Sequence, residues 1–347
     1  NYFENDISLT YTHPLLFGSG GDILDLQLLS ASTNVKTKTL ESIESFESFF
    51  YSELANYVDW AVQHEITELN YGRLQLARES FKQTQKRVKL NLSEKIDLLR
   101  AEDAVQKAHQ QWMLQKATLK SIQYRVSTRA NNQSILSKKP AFDLYEFVYI
   151  KKPSYIAMDR LRAVIQLKET DAPLKKNLSI YEKQRYGSLD LVSSYALIGG
   201  GSTFMESKAF TSNDSSIYVN YSRALSDTQT IKKVEATKEQ LTQLELQQHQ
   251  LKSDLEANIV SLYTLIEEYT EILDINLNQI LTADKKATAE ETLFKQGRSS
   301  IDMVIQAQDN VLNSKLNYAH LFSTYQKYVL QYKDLTDELL IDYGIVL

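Results

Sequence analysis

The apolar residues of the stretch 227–296 recur at intervals of three, four or seven, and the stretch contains no glycine and no proline. Their mean step of about 3.5 residues is the heptad period that keeps one apolar seam against a partner helix. Gly297 interrupts this pattern, which then resumes. The pattern predicts a long helix over 227–296, a tip at 297–300 and a return helix over 301–335. At 1.5 Å per residue, the long helix would extend roughly 100 Å, which is longer than an ordinary globular core.

The first part of the chain carries the same succession of patterns. Residues 7–16 alternate apolar and polar side chains, which predicts a half-buried strand. A second heptad-like stretch then predicts a long helix over 23–90, a tip at 91–93 and a return helix over 94–126. We therefore assign residues 1–129 to a first repeat.

The middle of the chain has a different character. Residues 130–153 contain polar and proline-bounded segments that indicate a linker. A helix is predicted over 154–183, with a disturbance at its proline. Two strands are predicted over 186–198 and 215–225, joined by a glycine triplet and a long exposed polar loop. These elements open the second repeat, residues 154–347, which ends in a short tail after the return helix.

The two repeats match most closely at their tips, where Asn91-Leu-Ser93 aligns with Gly297-Arg-Ser299. Asparagine and glycine both tolerate the left-handed conformation that stops a helix. The serines that follow, Ser93 and Ser299, are placed to cap the return helices. The alignment shifts by four residues between strand and tip, a shift that we expect the long helix to absorb as about one turn.

Composition narrows the classes of function. The formal net charge is −5, and no basic face stands out, which argues against nucleic acid as a partner. The absence of cysteine excludes disulfides, thiolate metal sites and cysteine nucleophiles. The sequence contains no run of about 18 apolar residues, so it predicts no transmembrane helix. The sequence starts at Asn1 without a methionine or a signal peptide, so we expect a processed or truncated start.

No pattern predicts an enzyme, a cofactor or a metal site. The five histidines lack ligand spacing, and the serine, histidine and aspartate residues lack the context of a nucleophile elbow. The glycine triplet lacks the lysine and helix of a phosphate loop. Four tyrosines in and beside the two later strands fit either a membrane-interface girdle or ordinary cross-strand aromatics. They are Tyr186, Tyr195, Tyr218 and Tyr221.

Strands of this kind leave open sheet edges, and the long helices leave an apolar seam that one chain does not cover. Edges are normally blunted or closed into a barrel. The fold class that we predict is mainly α with a small β part. It consists of two tandem strand, long-helix, turn and helix repeats that form antiparallel coiled-coil hairpins. Oligomerisation into a closed β-barrel with an α-helical barrel attached would pair the sheet edges and cover the apolar seams of the long helices.

Three motifs in this order carry a resemblance to a known family. They are Thr10-Tyr-Thr-His-Pro14-Leu-Leu-Phe-Gly18-Ser-Gly-Gly21, Asn91-Leu-Ser-Glu-Lys-Ile-Asp97-Leu-Leu-Arg-Ala101-Glu102, and Gly297-Arg-Ser-Ser-Ile-Asp302-Met-Val-Ile-Gln-Ala307-Gln308. With them the chain resembles the TolC-type outer-membrane efflux proteins over roughly residues 7–335. The resemblance implies a homotrimer in the bacterial outer membrane, whose strands form a β-barrel in contact with lipid. The barrel continues into a periplasmic α-helical tunnel that works with a periplasmic adaptor (membrane fusion) protein and an inner-membrane transporter. Family members have a further helix and strand before the position of Asn1, so we expect three of four barrel strands.

The resemblance also implies roles for tip residues. Asp97, Arg298 and Asp302 match positions at the narrow periplasmic entrance, and their ion pairs would form a gate. Near the tips, Ile305 replaces a second acid and Phe294 replaces a tyrosine. A plainer alternative is that the acids favour a helix N-terminus and that the arginine is solvated. Lys89, Leu92 and Arg298 are candidate contacts for the adaptor.

Two other functions remain open at this point. The chain fits a structural or adaptor coiled-coil hairpin that never forms a membrane pore. A secreted α-helical pore-forming toxin also uses long helices, although it would need an apolar insertion hairpin, and the region around Gly199 is polar. A soluble monomer or dimer would favour the scaffold, whereas trimers in outer-membrane fractions would favour the channel.

Overall fold

The computed structural model describes residues 2–16, 19–141, 157–225 and 227–345. Three strands and eight α-helices cover most of this range. In chain order they are β1 (Phe3–Pro14), α1 (Asp22–Lys89), α2 (Lys95–Arg129), α3 (Arg162–Glu169), α4 (Asp171–Gln184), β2 (Ser188–Gly201), α5 (Phe204–Ser207), β3 (Ser212–Ser222), α6 (Thr228–Lys295), α7 (Ile301–Leu335) and α8 (Leu339–Asp342). The predictions on Phe17 and Gly18, on the linker from residue 142, on the first residues of the 154–183 helix and on the end of the tail lie outside the described residues. The predicted fold class, mainly helical with a small β part, is confirmed.

The paired helices of the two repeats have equal lengths. The long helices α1 and α6 each contain 68 residues, and the return helices α2 and α7 each contain 35. The expected four-residue shift is therefore not absorbed within a long helix. It lies before the helices begin, where a connecting segment can change length without rotating the apolar seam.

The predicted 154–183 helix is two helices, and the break comes before the proline. α3 ends at Glu169 and α4 begins at Asp171, with Pro173 in the first turn of α4. A proline lacks the N–H that would bond to the carbonyl four residues earlier, and its ring collides with that carbonyl. For Pro173 this carbonyl belongs to Glu169, so the first helix stops there.

The three strands form one antiparallel sheet in the order β1-β2-β3. β1 begins at Phe3, before the alternating segment, because its pairing with β2 continues as far as Phe3 opposite Gly201. The glycine triplet accordingly lies within β2 and not in the connection that we predicted. Glycine suits this end of the strand, since a Cβ at Gly199 would collide with the carbonyl of Ser207 in α5.

The sheet has one apolar and one polar face. Pairing places Leu9 beside Tyr195 on the apolar face, and on the same face Ser193 lies between Tyr11 and Ile217. On the other face, Thr10 Oγ1 lies 3.2 Å from Ser194 Oγ across the β1–β2 pair. Exposed side chains on the apolar face include Ile7 at 60%, Leu9 at 77%, Tyr11 at 63%, Ile217 at 77%, Val219 at 58% and Tyr221 at 56%.

The four tyrosines considered as a girdle do not share one surface. Tyr195 and Tyr221 lie on the apolar face of the sheet, whereas Tyr218 pairs with Val192 and lies on the polar face. Tyr186 precedes β2 and is exposed. Only two of the four therefore have positions on the apolar surface that a girdle requires.

The chain divides into two compact units, to each of which α1 and α6 contribute. The first contains residues 1–42 and 157–254, with the sheet, α3, α4 and α5. Within it, Asp159 Oδ1 accepts hydrogen bonds from Lys168 Nζ at 2.7 Å and Lys252 Nζ at 2.6 Å. These two hydrogen bonds lower the pKa of Asp159 from 3.8 to about 2.

The second unit contains residues 43–156 and 255–347, with α2, α7 and α8. Its most buried large side chains are Tyr318, Phe322 and Tyr325 of α7. Within the described residues, no helix is both long and apolar enough to cross a membrane. The tips of both hairpins belong to this unit.

Candidate functional site

The two long helices end in the same backbone arrangement. Asn91 follows α1 with a φ angle of 56°, and Gly297 follows α6 with a φ angle of 76°. At both tips the N–H of the next residue, Leu92 or Arg298, donates a hydrogen bond of 2.8 Å to a carbonyl in the last turns of the helix. A left-handed residue with this hydrogen bond is the Schellman motif. Asn91 and Gly297 thus lie where each long helix stops.

Ser93 and Ser299 also lie in the tips, but they do not cap the return helices as we expected. The hydroxyl of Ser93 accepts a hydrogen bond from Arg87 Nε at 3.2 Å. The hydroxyl of Ser299 donates to Glu290 Oε2 at 2.7 Å. Both hydroxyls therefore interact with the preceding long helix.

The capping residues come one position later in each repeat. The N–H of Glu94, before α2, donates to Asp97 Oδ2 at 3.2 Å. The hydroxyl of Ser300, before α7, accepts from the N–H of Met303 at 3.4 Å. Glu94 and Ser300 have extended backbones, with ψ angles of 159° and 160°. A helix N-cap requires this extended conformation, so the cap moves to these residues.

Arg87, in the last turn of α1, connects the two tips. Its Nη1 donates to the carbonyl of Phe294 at 2.9 Å, and its Nη2 donates to the carbonyl of Leu92 at 3.3 Å. The guanidinium carbon also lies 4.7 Å from the centroid of the Phe294 ring, within cation–π range. Arginine suits this position because its planar group carries five donors. Nothing in the sequence pattern distinguishes Arg87, since a basic residue at a helix C-terminus is common.

Arg100 of α2 brings two of the expected gate residues together. Its Nη1 lies 3.0 Å from Asp302 Oδ2 and 3.5 Å from Asp97 Oδ1. Arg298 is exposed and forms no ion pair within the described part of the chain. Arg100 was not among the predicted gate residues, although its position three residues after Asp97 on a helix indicates that the two side chains can meet.

A small apolar cluster lies beside these charges. Phe294, Ile301, Val304 and Ala101 are buried together, and Ile305 packs against them. Phe294 is only 3% exposed, so it acts as a core residue of this cluster. Burial of this cluster fixes the start of α7 against α2 and the end of α6.

The three residues expected to contact an adaptor lie on the surface of the tips. Lys89 and Arg298 are exposed, and Leu92 is 62% exposed. Leu90, beside them, is 68% exposed. This combination of basic and apolar surface is available to a protein partner.

A groove of about 640 Å³ between α1, α2 and α7 adjoins the tips, and charged side chains line it. Arg73 is 6% exposed, and its Nε donates to Asp309 Oδ1 at 2.7 Å. Lys107 lies 2.7 Å from Asp103. The hydrogen bond to Asp103 and the charges of Asp103 and Asp309 raise the pKa of Lys107 above 10.5. Lys107 is therefore a cation at any physiological pH.

Two acidic side chains of α1 also meet a third from the end of the chain in this unit. Carboxylate oxygens of Glu44, Glu47 and Asp337 lie within 4.8 Å of one another, and Glu47 is 1% exposed. None of the three is free of other interactions. We assign no metal site to this group.

Comparison with known proteins gives the class of the fold. Neither a model of a protein family nor a curated protein matches the sequence. Solved structures do match. The CmeC outer membrane channel of Campylobacter jejuni has a TM-score of 0.71 at 10% identity, covering 98% of this chain and 78% of that one. The outer membrane protein VceC of Vibrio cholerae has a TM-score of 0.69 at 10% identity, covering 99% and 87%.

A third structure, the open state of the Neisseria gonorrhoeae MtrE outer membrane channel, has a TM-score of 0.61 at 10% identity, covering 98% of this chain and 81% of that one. The chain thus has the fold of the outer membrane factor channels. This is the TolC-type fold that the tip motifs predict, and the resemblance is confirmed at the level of the fold.

Proposed function

We propose that this protein is a passive channel-tunnel of the bacterial outer membrane with a long periplasmic extension. It would serve efflux or secretion of small molecules or proteins and catalyse no reaction. A homotrimer would form the conduit, with the sheets in contact with outer-membrane lipid. An inner-membrane transporter and a periplasmic adaptor would deliver the cargo.

The observation that carries this proposal is the exposed apolar face of the sheet. Alternate residues of β1 and β3, such as Leu9 and Ile217, are 77% exposed in the single chain. An exposed apolar surface of this kind marks a site of contact with lipid or with another protein. The opposite face carries serine, threonine and asparagine, as the water-filled side of a membrane barrel does. The shared fold of outer membrane channels supports the same function.

We further propose that the tips close the periplasmic entrance. Asp97 and Asp302 would hold the closed state through Arg100, which lies within 3.5 Å of both carboxylates. Arg298 would add an ion pair to another copy, since it has none within the described residues of its own chain. Asn91, Ser93, Gly297 and Ser299 would shape the turns. Lys89, Leu92 and Arg298 would contact the adaptor.

Planar-bilayer conductance of the full-length protein tests the conduit and the gate. We expect steps of conductance from the wild type and larger or more frequent openings from Arg298→Ser and Asp302→Ala. Equal conductance of wild type and variants would refute the charged gate but would not contradict the proposed channel.

The alternative function, a structural or adaptor coiled-coil hairpin, predicts no conductance. It also predicts a soluble monomer or dimer, whereas a channel predicts heat-modifiable trimers in outer-membrane fractions. Absence of both conductance and membrane trimers would refute the proposed channel.

A further inference from the structure

The short helix α5, in the connection between β2 and β3, lies at one end of the sheet, and the long helices leave from the other end. α1 follows the end of β1, and α6 follows the end of β3. Because the sheet is antiparallel, both of these strand ends lie opposite the end that carries α5. In the proposed function the long helices are periplasmic. The end of the sheet with α5 then faces the outer leaflet of the membrane.

α5 packs against the apolar face of the sheet. Asn5 pairs with Gly199, and both lie on the face that carries Ile7 and Leu9, because alternate residues of a strand point to the same side. The side-chain amide of Asn5 donates to Ser207 Oγ of α5 at 2.6 Å. A Cβ at Gly199 would collide with the carbonyl of Ser207. α5 therefore covers the end of the face that we propose to contact lipid.

Apolar side chains of α5 extend this face. The ring of Phe3, on β1, packs edge to face against the ring of Phe204, with 6.3 Å between the centroids. Phe204 is 54% exposed, and Met205 is 77% exposed. Exposed apolar side chains that adjoin an apolar face indicate an extension of the same contact surface.

Lys208 is the only basic residue in the connection between β2 and β3. Its Nζ lies 4.6 Å from the centroid of the Phe204 ring, and it forms no ion pair within the part of the chain that the structure describes. The nearby Glu206 accepts three hydrogen bonds from Ser202 and Thr203, which lower the pKa of its carboxyl group. Its charge is thus directed at the connection itself, and Lys208 remains available on the side of the apolar face.

The acidic side chains of the strands at this end of the sheet belong to the opposite face. Glu4 and Asp6 alternate with the residues of β1 on the apolar face, and Asp214 pairs with Ala196 on the polar face. Positive and negative charges are therefore separated between the two faces. A base beside exposed apolar side chains complements the negatively charged phosphates of lipid headgroups.

We propose that α5 and Phe3 form an interfacial anchor that binds the phosphorylated headgroups of outer-leaflet lipid. Phe204 and Met205 lie at the boundary between headgroups and acyl chains, and Lys208 contacts phosphate. A long basic side chain suits this position because its stem lies along apolar surface while its charge reaches the polar layer. The inference rests on the proposed function and adds the lipid partner of this end of the sheet.

Fluorescence quenching tests the position of α5, because single cysteines can be labelled in a chain that contains none. Met205→Cys, Leu9→Cys and Thr10→Cys are each labelled with bimane in the full-length protein in phosphatidylcholine vesicles. Nitroxide lipid labelled at the headgroup should quench the Met205→Cys label most, and nitroxide lipid labelled in the acyl chain should quench the Leu9→Cys label most. The Thr10→Cys label, on the polar face, is the control and should be quenched little by either lipid. Quenching of the Met205→Cys label by aqueous iodide and not by nitroxide lipid would overturn the proposal.

Selection among lipids tests Lys208. The Met205→Cys label should find nitroxide phosphatidylglycerol enriched about five-fold over nitroxide phosphatidylcholine at equal mole fraction, the effect of one lysine near anionic lipid. In Lys208→Gln the two lipids should quench equally. Arg223→Gln is the matched control, because Arg223 is an exposed base just after β3, at the opposite end of the sheet; the enrichment should persist in it. An enrichment that also persists in Lys208→Gln, or one that is absent with Lys208 in place, would refute the headgroup contact.

These results separate the anchor from the proposed function. Lipid quenching of the Leu9→Cys label without lipid quenching of the Met205→Cys label would support a membrane-embedded sheet and refute the anchor. Lipid quenching of neither label would refute the lipid contact of the proposed channel as well.

Discussion

Replacing Arg87 with methionine tests whether the contact between the two tips holds the entrance closed. Methionine replaces the aliphatic part of arginine with an unbranched apolar side chain of similar length and removes the guanidinium group. The substitution deletes the hydrogen bond to the Phe294 carbonyl at 2.9 Å and the stacking on the ring at 4.7 Å. The bonds to Ser93 and Leu92 are also lost, but both partners lie within the first tip.

Only the contacts that cross between the tips bear on their separation. A hydrogen bond from a charged donor contributes about 1.5 kcal/mol or more when buried, and Arg87 is half-buried, so we take about 1 to 1.5 kcal/mol. The cation–π contact adds about 0.5 to 1 kcal/mol. The total of about 1.5 to 2.5 kcal/mol corresponds to a shift of about ten- to seventy-fold in the equilibrium between closed and separated tips.

The assay is the open probability of single channels in planar bilayers. We expect Arg87→Met to raise it by that factor until it saturates. Arg78→Met is the matched control, since Arg78 lies on α1, is exposed and has no ion pair within the described residues. If the Arg87 and Arg78 variants open equally often, the contact between the tips does not control the entrance.

Four further substitutions test the fold. Phe294→Ala should destabilise the tip by about 3 to 5 kcal/mol, measured by chemical denaturation, because it empties a buried position; a loss below about 1 kcal/mol would contradict the cluster. Gly297→Ala should lower the free energy of unfolding by about 1 to 2 kcal/mol because the φ of Gly297 is 76°. Gly72→Ala should raise it by about 0.5 to 1 kcal/mol because the new Cβ would have open space around it. Changes of the same sign in both variants would refute this contrast. Asp159 has a folded pKa of about 2 against an ordinary 3.8, so the stability that it adds is present above pH 4 and disappears as the pH falls towards 2. In Asp159→Asn that part of the pH dependence of thermal unfolding should vanish, and an unchanged acid limb would contradict it.

The pattern of apolar residues predicts most of the fold because helix formation over long stretches is a local property. The heptad seam gives both long helices, and Asn91 and Gly297 mark their ends through their own backbone preference. The boundaries of the strands were less predictable. β1 begins at Phe3 and β2 runs to Gly201 because each strand extends as far as its neighbour pairs with it.

The candidate site was predictable in part. Asp97 and Asp302 do lie close together, but Arg100 is the cation that lies between them, and Arg298 stands apart. The resemblance supplies positions by alignment, whereas an ion pair depends on which side chain reaches across to the neighbouring helix.

By itself, the sequence of this protein determines two helical hairpins with the same order of elements, the point at which each long helix stops, and a sheet with one apolar and one polar face. These features depend on residues that are near one another along the chain. The tertiary structure decides that Arg87 meets Phe294, 207 positions away, and that α7 lines the groove beside α1 and α2. Such contacts depend on how the helices pack, and the period of a single helix contains no information about the partner that lies against it.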